Sequence, residues 1–248
     1  MRPDYFGPDI AADYDDPDSP RWSGERFEAE IAFLADLAGP GGRALELAVG
    51  TGRVALPLRG RGVDVHGIDL SAAMVEQLRA KPGGDAVPVV IGDMTTTRVD
   101  GEFDLVYLVF NTIGNLTEQE AQVACFGNVA AHLRPGGAFV IETEVPGVLW
   151  LPPTESFRVY HHGDEHVGID EYDPATQRMF SHHYLRQADG SYRRRSLPFR
   201  YAWPAELDLM ARLAGLRLRE RWADWSRTPF AATSESHVSV WEKPTTDG

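Results

Sequence analysis

Residues 43–53 read Arg43-Ala-Leu-Glu-Leu-Ala-Val-Gly-Thr-Gly-Arg53, and this stretch decides the fold. Its first five residues form a short apolar run with one carboxylate, Glu46, near the end. Ala48-Val49-Gly50-Thr51-Gly52 then turns the chain with no large side chain in the way. Gly50 and Gly52 permit both positive φ and close approach of a ligand. A helix follows, and its first turn offers unpaired N–H groups to an anion or a carboxylate. The stretch reads as a nucleotide-binding strand, turn and helix. The spacing Gly50-x-Gly52-x-x-Ala55 also fits a loose dinucleotide fingerprint, so the turn alone leaves the nucleotide open.

Working outward, strands alternate with helices. Upstream, residues 24–38 carry Phe27, Ile31, Leu34 and Ala38 at helical spacing, and Gly39-Pro40-Gly41-Gly42 ends that helix. Residues 1–20 are acidic and proline-rich, with no pattern for a regular element. Their aromatic residues suit a segment that folds over something. Downstream, strands are expected at 63–68, 87–91, 103–110 and 138–142. The fourth is apolar after Asp104 and therefore central. Pro57 shortens or bends the helix after the turn, Ser71 caps the next, and Thr117-x-x-Glu120 reads as a capping box. From 146 to 201 the period becomes two, with turn signals at 162–164, 173–174 and 189–190, so an antiparallel meander is expected there. Trp203-Pro204 opens a last helix that ends at Gly215, and strands near 216–223 and 237–241 close the chain. The fold class is α/β, a doubly wound sheet with a β-meander inserted after the fifth strand. Three parts follow: 1–40 as an N-terminal lid and helix, 41–145 with 202–248 as the core, and 146–201 as the insertion.

Composition narrows the partners. The 248 residues carry a formal charge of −13 and only two lysines, Lys81 and Lys243. Nucleic acid and anionic membrane are poor partners for such a chain, because binding phosphates requires a basic face. The single cysteine, Cys125, excludes an internal disulfide and reads as a small buried hydrophobe. The first residues lack a leader pattern and no apolar run approaches a membrane span, so a soluble, cytoplasmic protein is expected.

The loops that follow the first four strands share one sheet edge, where such folds bind ligands. Asp69, ending the second strand, can accept both hydroxyls of a ribose, with Leu70 and Met74 beside it. Asp93-Met94, after the third, suit an adenine amino group and ring face.

Taken in order, ALELAVGTGR, GIDLSAAM, GDM, DLVYLVFNTIGNL and LRPGGAFVIE resemble the successive motifs of the class I S-adenosylmethionine-dependent methyltransferases. The resemblance is tight over about residues 45–142 and implies a Rossmann-like, seven-stranded sheet. It implies S-adenosylmethionine as the cofactor. Glu46, Ala48, Gly50, Thr51 and Gly52 would hold its amino-acid end, Asp69 its ribose and Asp93 its adenine, with Phe110 beside the sulfonium. Ala48 stands where the family usually has its first loop glycine.

The outer segments resemble small-molecule N-methyltransferases of the glycine and amino-sugar kinds. That resemblance implies lid aromatics near the sulfonium, here Tyr5 and Tyr14, and acceptor contacts from Asn111 and Asn115. Some amino-sugar enzymes carry histidine where this chain has Asn115. Among the meander's histidines, His182 is the candidate base. His162 and His166 flank a turn, so a metal site is not expected. The position after the fourth strand reads Phe110-Asn111-Thr112-Ile113, unlike the (Asp/Asn)-Pro-Pro-aromatic signature of nucleobase amine methylation. The expected reaction is direct in-line transfer to an N or O atom of a small molecule. An NAD(P)-linked oxidoreductase and a cofactor-binding, non-catalytic subunit remain open. The exposed meander edge makes a homodimer an expectation.

Overall fold

In the computed structural model of the chain, residues 4–15 and 23–245 are described. The expectations for residues 1–3 and 16–22 therefore lie outside the described residues. One sheet holds seven strands: β1 (Arg43–Leu47), β2 (Asp64–Asp69), β3 (Val89–Ile91), β4 (Phe103–Leu108), β5 (Leu133–Glu144), β10 (Arg217–Trp222) and β11 (Ser236–Glu242). Their order is β10-β11-β5-β4-β1-β2-β3, and β11 alone runs against the direction of the other six. The second sheet is the antiparallel meander β6 (Phe157–His162), β7 (His166–Asp173), β8 (Arg178–Arg186) and β9 (Tyr192–Arg200). It enters the chain after β5.

The central strands β1 and β4 are buried on both faces, as their continuous apolar runs require. Helices α2 (Glu25–Ala38) and α3 (Ala55–Gly60) cover one face, where Phe33, Leu34 and Leu58 pack on Ala44, Val65 and Leu105. Helices α5 (Gln119–His132) and α6 (Pro204–Leu213) cover the other, where Phe126 and Leu207 meet Leu45, Val106, Phe139 and Trp241. Ser71 caps α4 (Ala72–Arg79) by accepting the Met74 N–H. The strand order reverses between β1 and β4, which places the ligand edge at the loops after these two strands. Among the described residues no helix is long and apolar enough to cross a membrane.

Four local expectations are corrected. The N-terminal segment does form a regular element, the short helix α1 (Pro8–Asp13), with Pro8 in its first turn where a missing N–H costs nothing. Glu118, not Thr117, precedes α5, and its side chain makes no cap; it pairs instead with Arg178 across to the meander. Strand β3 is shorter than expected and its Val90 and Ile91 are exposed, as befits a sheet edge. Strand β5 starts at Leu133, because the Pro135-Gly136-Gly137 turn is stapled in place. Gly136 donates to the Lys243 carbonyl and Lys243 to the Gly137 carbonyl.

Arg200, only 5% exposed, fastens the meander to the core. Its guanidinium donates to Gln122 on α5 at 2.6 Å and to Glu206 on α6 at 2.7 Å. The Gln122 amide in turn donates to the carbonyls of Arg200 and Ile113. Every polar group of this buried cluster named here has a partner, which is what burial of a charge demands.

Candidate active site

The glycine turn is built from strained and crowded backbone. Ala48 adopts φ +56°, the left-handed conformation that glycine holds without penalty, so the substitution noted in the sequence carries a local strain. At Gly52, also at positive φ, a Cβ would sit 2.3 Å from Leu78 Cδ1, and no side chain fits between the turn and α4. Asp69 closes the turn from β2. One of its carboxylate oxygens accepts the Gly50 N–H at 2.6 Å and the other accepts the Ser71 N–H at 2.8 Å. Burial pushes its pKa up and these two N–H groups pull it back. The Leu70 N–H adds a third bond, which still leaves the carboxylate capacity for a ribose hydroxyl. Leu70 is half-buried and Met74 buried next to it, and Met74 Cε lies 3.3 Å from where a Cβ of Gly50 would be.

Glu46 sits under the turn, 3% exposed, and accepts the Tyr107 hydroxyl at 2.9 Å. Burial lifts its pKa to about 8. Arg53, which ends the turn, makes a two-pronged pair with Glu30 on α2 at 2.9 and 3.0 Å, and its guanidinium lies 5.6 Å from the Phe110 ring. After β3, Asp93 holds its own loop by accepting the Thr95 N–H and hydroxyl, with half-buried Met94 next to it.

The N-terminal segment folds over this turn. Asp15 accepts the Thr51 hydroxyl at 2.7 Å and pairs with Lys81, which also donates to the Thr51 carbonyl. Ser71 donates its hydroxyl to the Phe6 carbonyl. Tyr14, next to Asp15, stands edge-on to Phe6 at 6.2 Å and is half-buried, while Tyr5 is exposed.

After β4 the chain makes two consecutive left-handed residues, Phe110 at φ +62° and Asn111 at φ +56°. The Glu142 carboxylate accepts the Phe110 N–H, and Thr143 donates its hydroxyl to Asn111 Oδ1. A small cavity opens beside Asn111. Its walls include Gly114, Thr143, Glu144, Gly147, Tyr172 and Phe199, so it lies between the ends of β4 and β5 and one face of the meander. Asn115 ends the turn after Asn111, half-buried, and does not line this cavity.

Strand register corrects the expectation of a base at His182. Tyr172, Met179 and Phe199 are partners across β7, β8 and β9, so they share the face that walls the cavity. His182 lies at the opposite parity and points away. There it contacts Glu171 at 3.0 Å and Ser196 at 2.7 Å. Sequence reasoning missed Glu142, Glu144 and the Arg53–Glu30 pair. Glu142 was visible only as the last letter of a motif, and nothing local marks a carboxylate that braces a loop 32 residues away.

The site therefore offers two carboxylates, a turn rich in N–H groups, an aromatic ring and a covering segment at one sheet edge. This donor set fits S-adenosylmethionine. The chain belongs to the S-adenosylmethionine-dependent methyltransferases, and residues 44–137 match the methyltransferase domain family. It is 30% identical over 206 residues to the cypemycin N-terminal methyltransferase of a Streptomyces species, covering 82% of this chain and 84% of that one. Its fold matches the CcbJ methyltransferase of Streptomyces caelestis with a TM-score of 0.82 at 34% identity, over 96% of both chains. It is also 31% identical to a Streptomyces venezuelae N,N-dimethyltransferase of dTDP-3-amino-3,4,6-trideoxy-alpha-D-glucopyranose, over 53% of this chain and 54% of that one.

Proposed function

We propose that this methyltransferase acts by direct in-line transfer to the nitrogen of a small-molecule amine. The observation that carries the reading is the cavity beside Asn111, which places Glu144 and Tyr172 in its wall next to the loop that carries Phe110. A carboxylate in the wall suits an acceptor that arrives as a cation and must lose a proton before it attacks. Two of the relatives named above, the cypemycin N-terminal methyltransferase and the N,N-dimethyltransferase of a dTDP-amino sugar, support the same class. The cofactor supplies an activated methyl group, and the protein's task is to hold the acceptor in line with it and keep water out. Asp69 and Asp93 anchor the nucleoside. Glu46 with residues 48–52 holds the charged tail, and Leu70, Met74 and Met94 pack against the rings. Phe110, Tyr14 and Tyr5 screen the sulfonium, while Asn111 and Asn115 steer the acceptor. Of the N-terminal lid and helix, the segment that carries Tyr5 and Tyr14 acts as the lid while α2 packs on the core, and residues 146–201 act as the acceptor wall.

The acidic composition supports a protein that leaves nucleic acid alone. The meander's outer face carries Phe157, Val159 and Phe180, all exposed, which supports pairing with a second copy. The first experiment is calorimetric titration with S-adenosylhomocysteine beside NADH and NADPH. Transfer to amines and to phenols is then followed by mass spectrometry. Micromolar binding of S-adenosylhomocysteine with methylation of amines alone is the expected result. Methylation of phenols alone would overturn the nitrogen assignment.

A further inference from the structure

Tyr172 lines the acceptor cavity and is 4% exposed. Its hydroxyl occupies the space that a side chain on Gly147 would fill, for a Cβ there would lie 2.5 Å from the Tyr172 oxygen. Gly147 lines the same cavity, so the hydroxyl stands at the wall itself. Two residues back on β7, and so on the same face, Asp170 takes the Tyr172 hydroxyl hydrogen at 3.3 Å. Asp170 is 7% exposed, and its cross-strand partners are Arg158 on β6 and Ser181 on β8. The Ser181 side chain also bonds to its carboxylate. Glu144 reaches the same hydroxyl electrostatically from the end of β5. Two carboxylates thus stand against one guanidinium around a single phenol.

Resting on the amine reading above, we propose that Tyr172 is the residue that orients the acceptor nitrogen, with Asp170 as the positioning residue that fixes its hydroxyl. A phenol has one hydrogen to give and lone pairs to accept with. Because that hydrogen is committed to Asp170, the oxygen turns a lone pair toward the cavity and accepts an N–H from the acceptor. An amine held this way has its own lone pair directed away from Tyr172, toward the loop of Phe110 and Asn111. An ammonium gives this bond as a charge-assisted one, with the Asp170 and Glu144 carboxylates close by, and a neutral alcohol gives an uncharged one, so the wall favours nitrogen over oxygen. Burial keeps the phenol protonated, its pKa well above the ordinary tyrosine value.

The test uses the full chain labelled with carbon-13 at tyrosine Cζ and saturated with S-adenosylhomocysteine. D-Glucosamine and L-alanyl-L-alanine amide serve as probe amines, with D-glucose and lactyl-alanine amide as their neutral counterparts. Tyr172→Phe identifies the Tyr172 resonance by its disappearance. Both amines, or one, should shift that resonance, and the neutral counterparts should shift it less at the same concentration. In Asp170→Asn the amine affinity read from the same shift should fall about tenfold. Asp170→Glu should restore part of it, and S-adenosylhomocysteine affinity should stay within about twofold of the parent in all variants. Equal responses to amines and neutral counterparts, no response to either, or an undiminished response in Asp170→Asn would each overturn the inference. Loss of S-adenosylhomocysteine binding by the parent chain would instead overturn the family reading beneath it.

Discussion

The backbone N–H of Phe110 donates to the Glu142 carboxylate over 2.6 Å, and this one bond holds open a loop that the backbone alone disfavours. Left-handed φ costs roughly 1–2 kcal/mol for each residue that has a Cβ, and Phe110 and Asn111 both adopt it. Glu142 also takes Arg26 from α2 at 3.3 Å, so its orientation is fixed from two sides. Glu142→Ala should lower turnover at least about tenfold and cost about 1 kcal/mol of stability, since the loop loses the bond that braces it. Urea denaturation and initial rates measure the two effects. Parent-like turnover would show that the loop does not need its brace.

Asp69 accepts the Gly50 N–H with one oxygen and the Ser71 N–H with the other, and the carboxylate keeps capacity for a ribose hydroxyl. Asp69→Asn preserves the shape but loses the charge and one acceptor. S-Adenosylhomocysteine affinity should fall about 100-fold or more, as expected when two charge-assisted bonds go. Calorimetry checks this, and unchanged affinity would remove Asp69 from the site.

Glu46 yields a pH signature. Its pKa in the folded chain, about 8, lies above the ordinary carboxylate value of 4.5. The native state therefore holds this proton more tightly than the unfolded chain does. The associated stability is complete below the ordinary value and is lost as pH rises through about 8. Glu46→Gln cannot titrate. The stability difference between parent and variant should therefore move by on the order of 3 kcal/mol between about pH 5 and about pH 9, against the parent. Denaturant melts across that range decide it. A constant difference would mean that Glu46 is ionised in the native state.

The lid has its own signature, because Asp15 ties it to Thr51 and Lys81 while Tyr14 stands next to that tie. Asp15→Asn should speed S-adenosylhomocysteine dissociation about three- to tenfold in stopped flow, with little change in association, since contacts made after encounter act on the off-rate. Tyr14→Phe should lower turnover more than cofactor affinity. No change in either quantity would take Tyr14 out of the site.

Much of this architecture was legible in the sequence because it obeys local rules. The Asp69 placement, the Ser71 cap, the apolar run of β4 and the meander's turn signals all appear where the residues put them. What was not legible depends on contacts remote in sequence. Alternation along β8 divides its residues into two sets but does not say which set faces the core. That choice is made by packing against β5 and the turn after β4, and it turns His182 outward. Nor does a capping-box spelling guarantee a cap: Arg178 from the meander draws Glu118 away, and α5 begins one residue later than Thr117 would have it. The left-handed pair at 110–111 carries no glycine to announce it.

Arg200 gives the molecule a division of labour. Through Gln122 and Glu206 it welds the base of the second sheet to α5 and α6. The far reaches of β7, β8 and β9 can then exchange residues on their inner face without disturbing either the weld or the glycine turn. In such a design one unchanging methyl-donor platform can serve many acceptors. Redesigning this enzyme for a new amine should begin on the meander's inner face, beyond Arg200, and leave the seven-stranded sheet untouched.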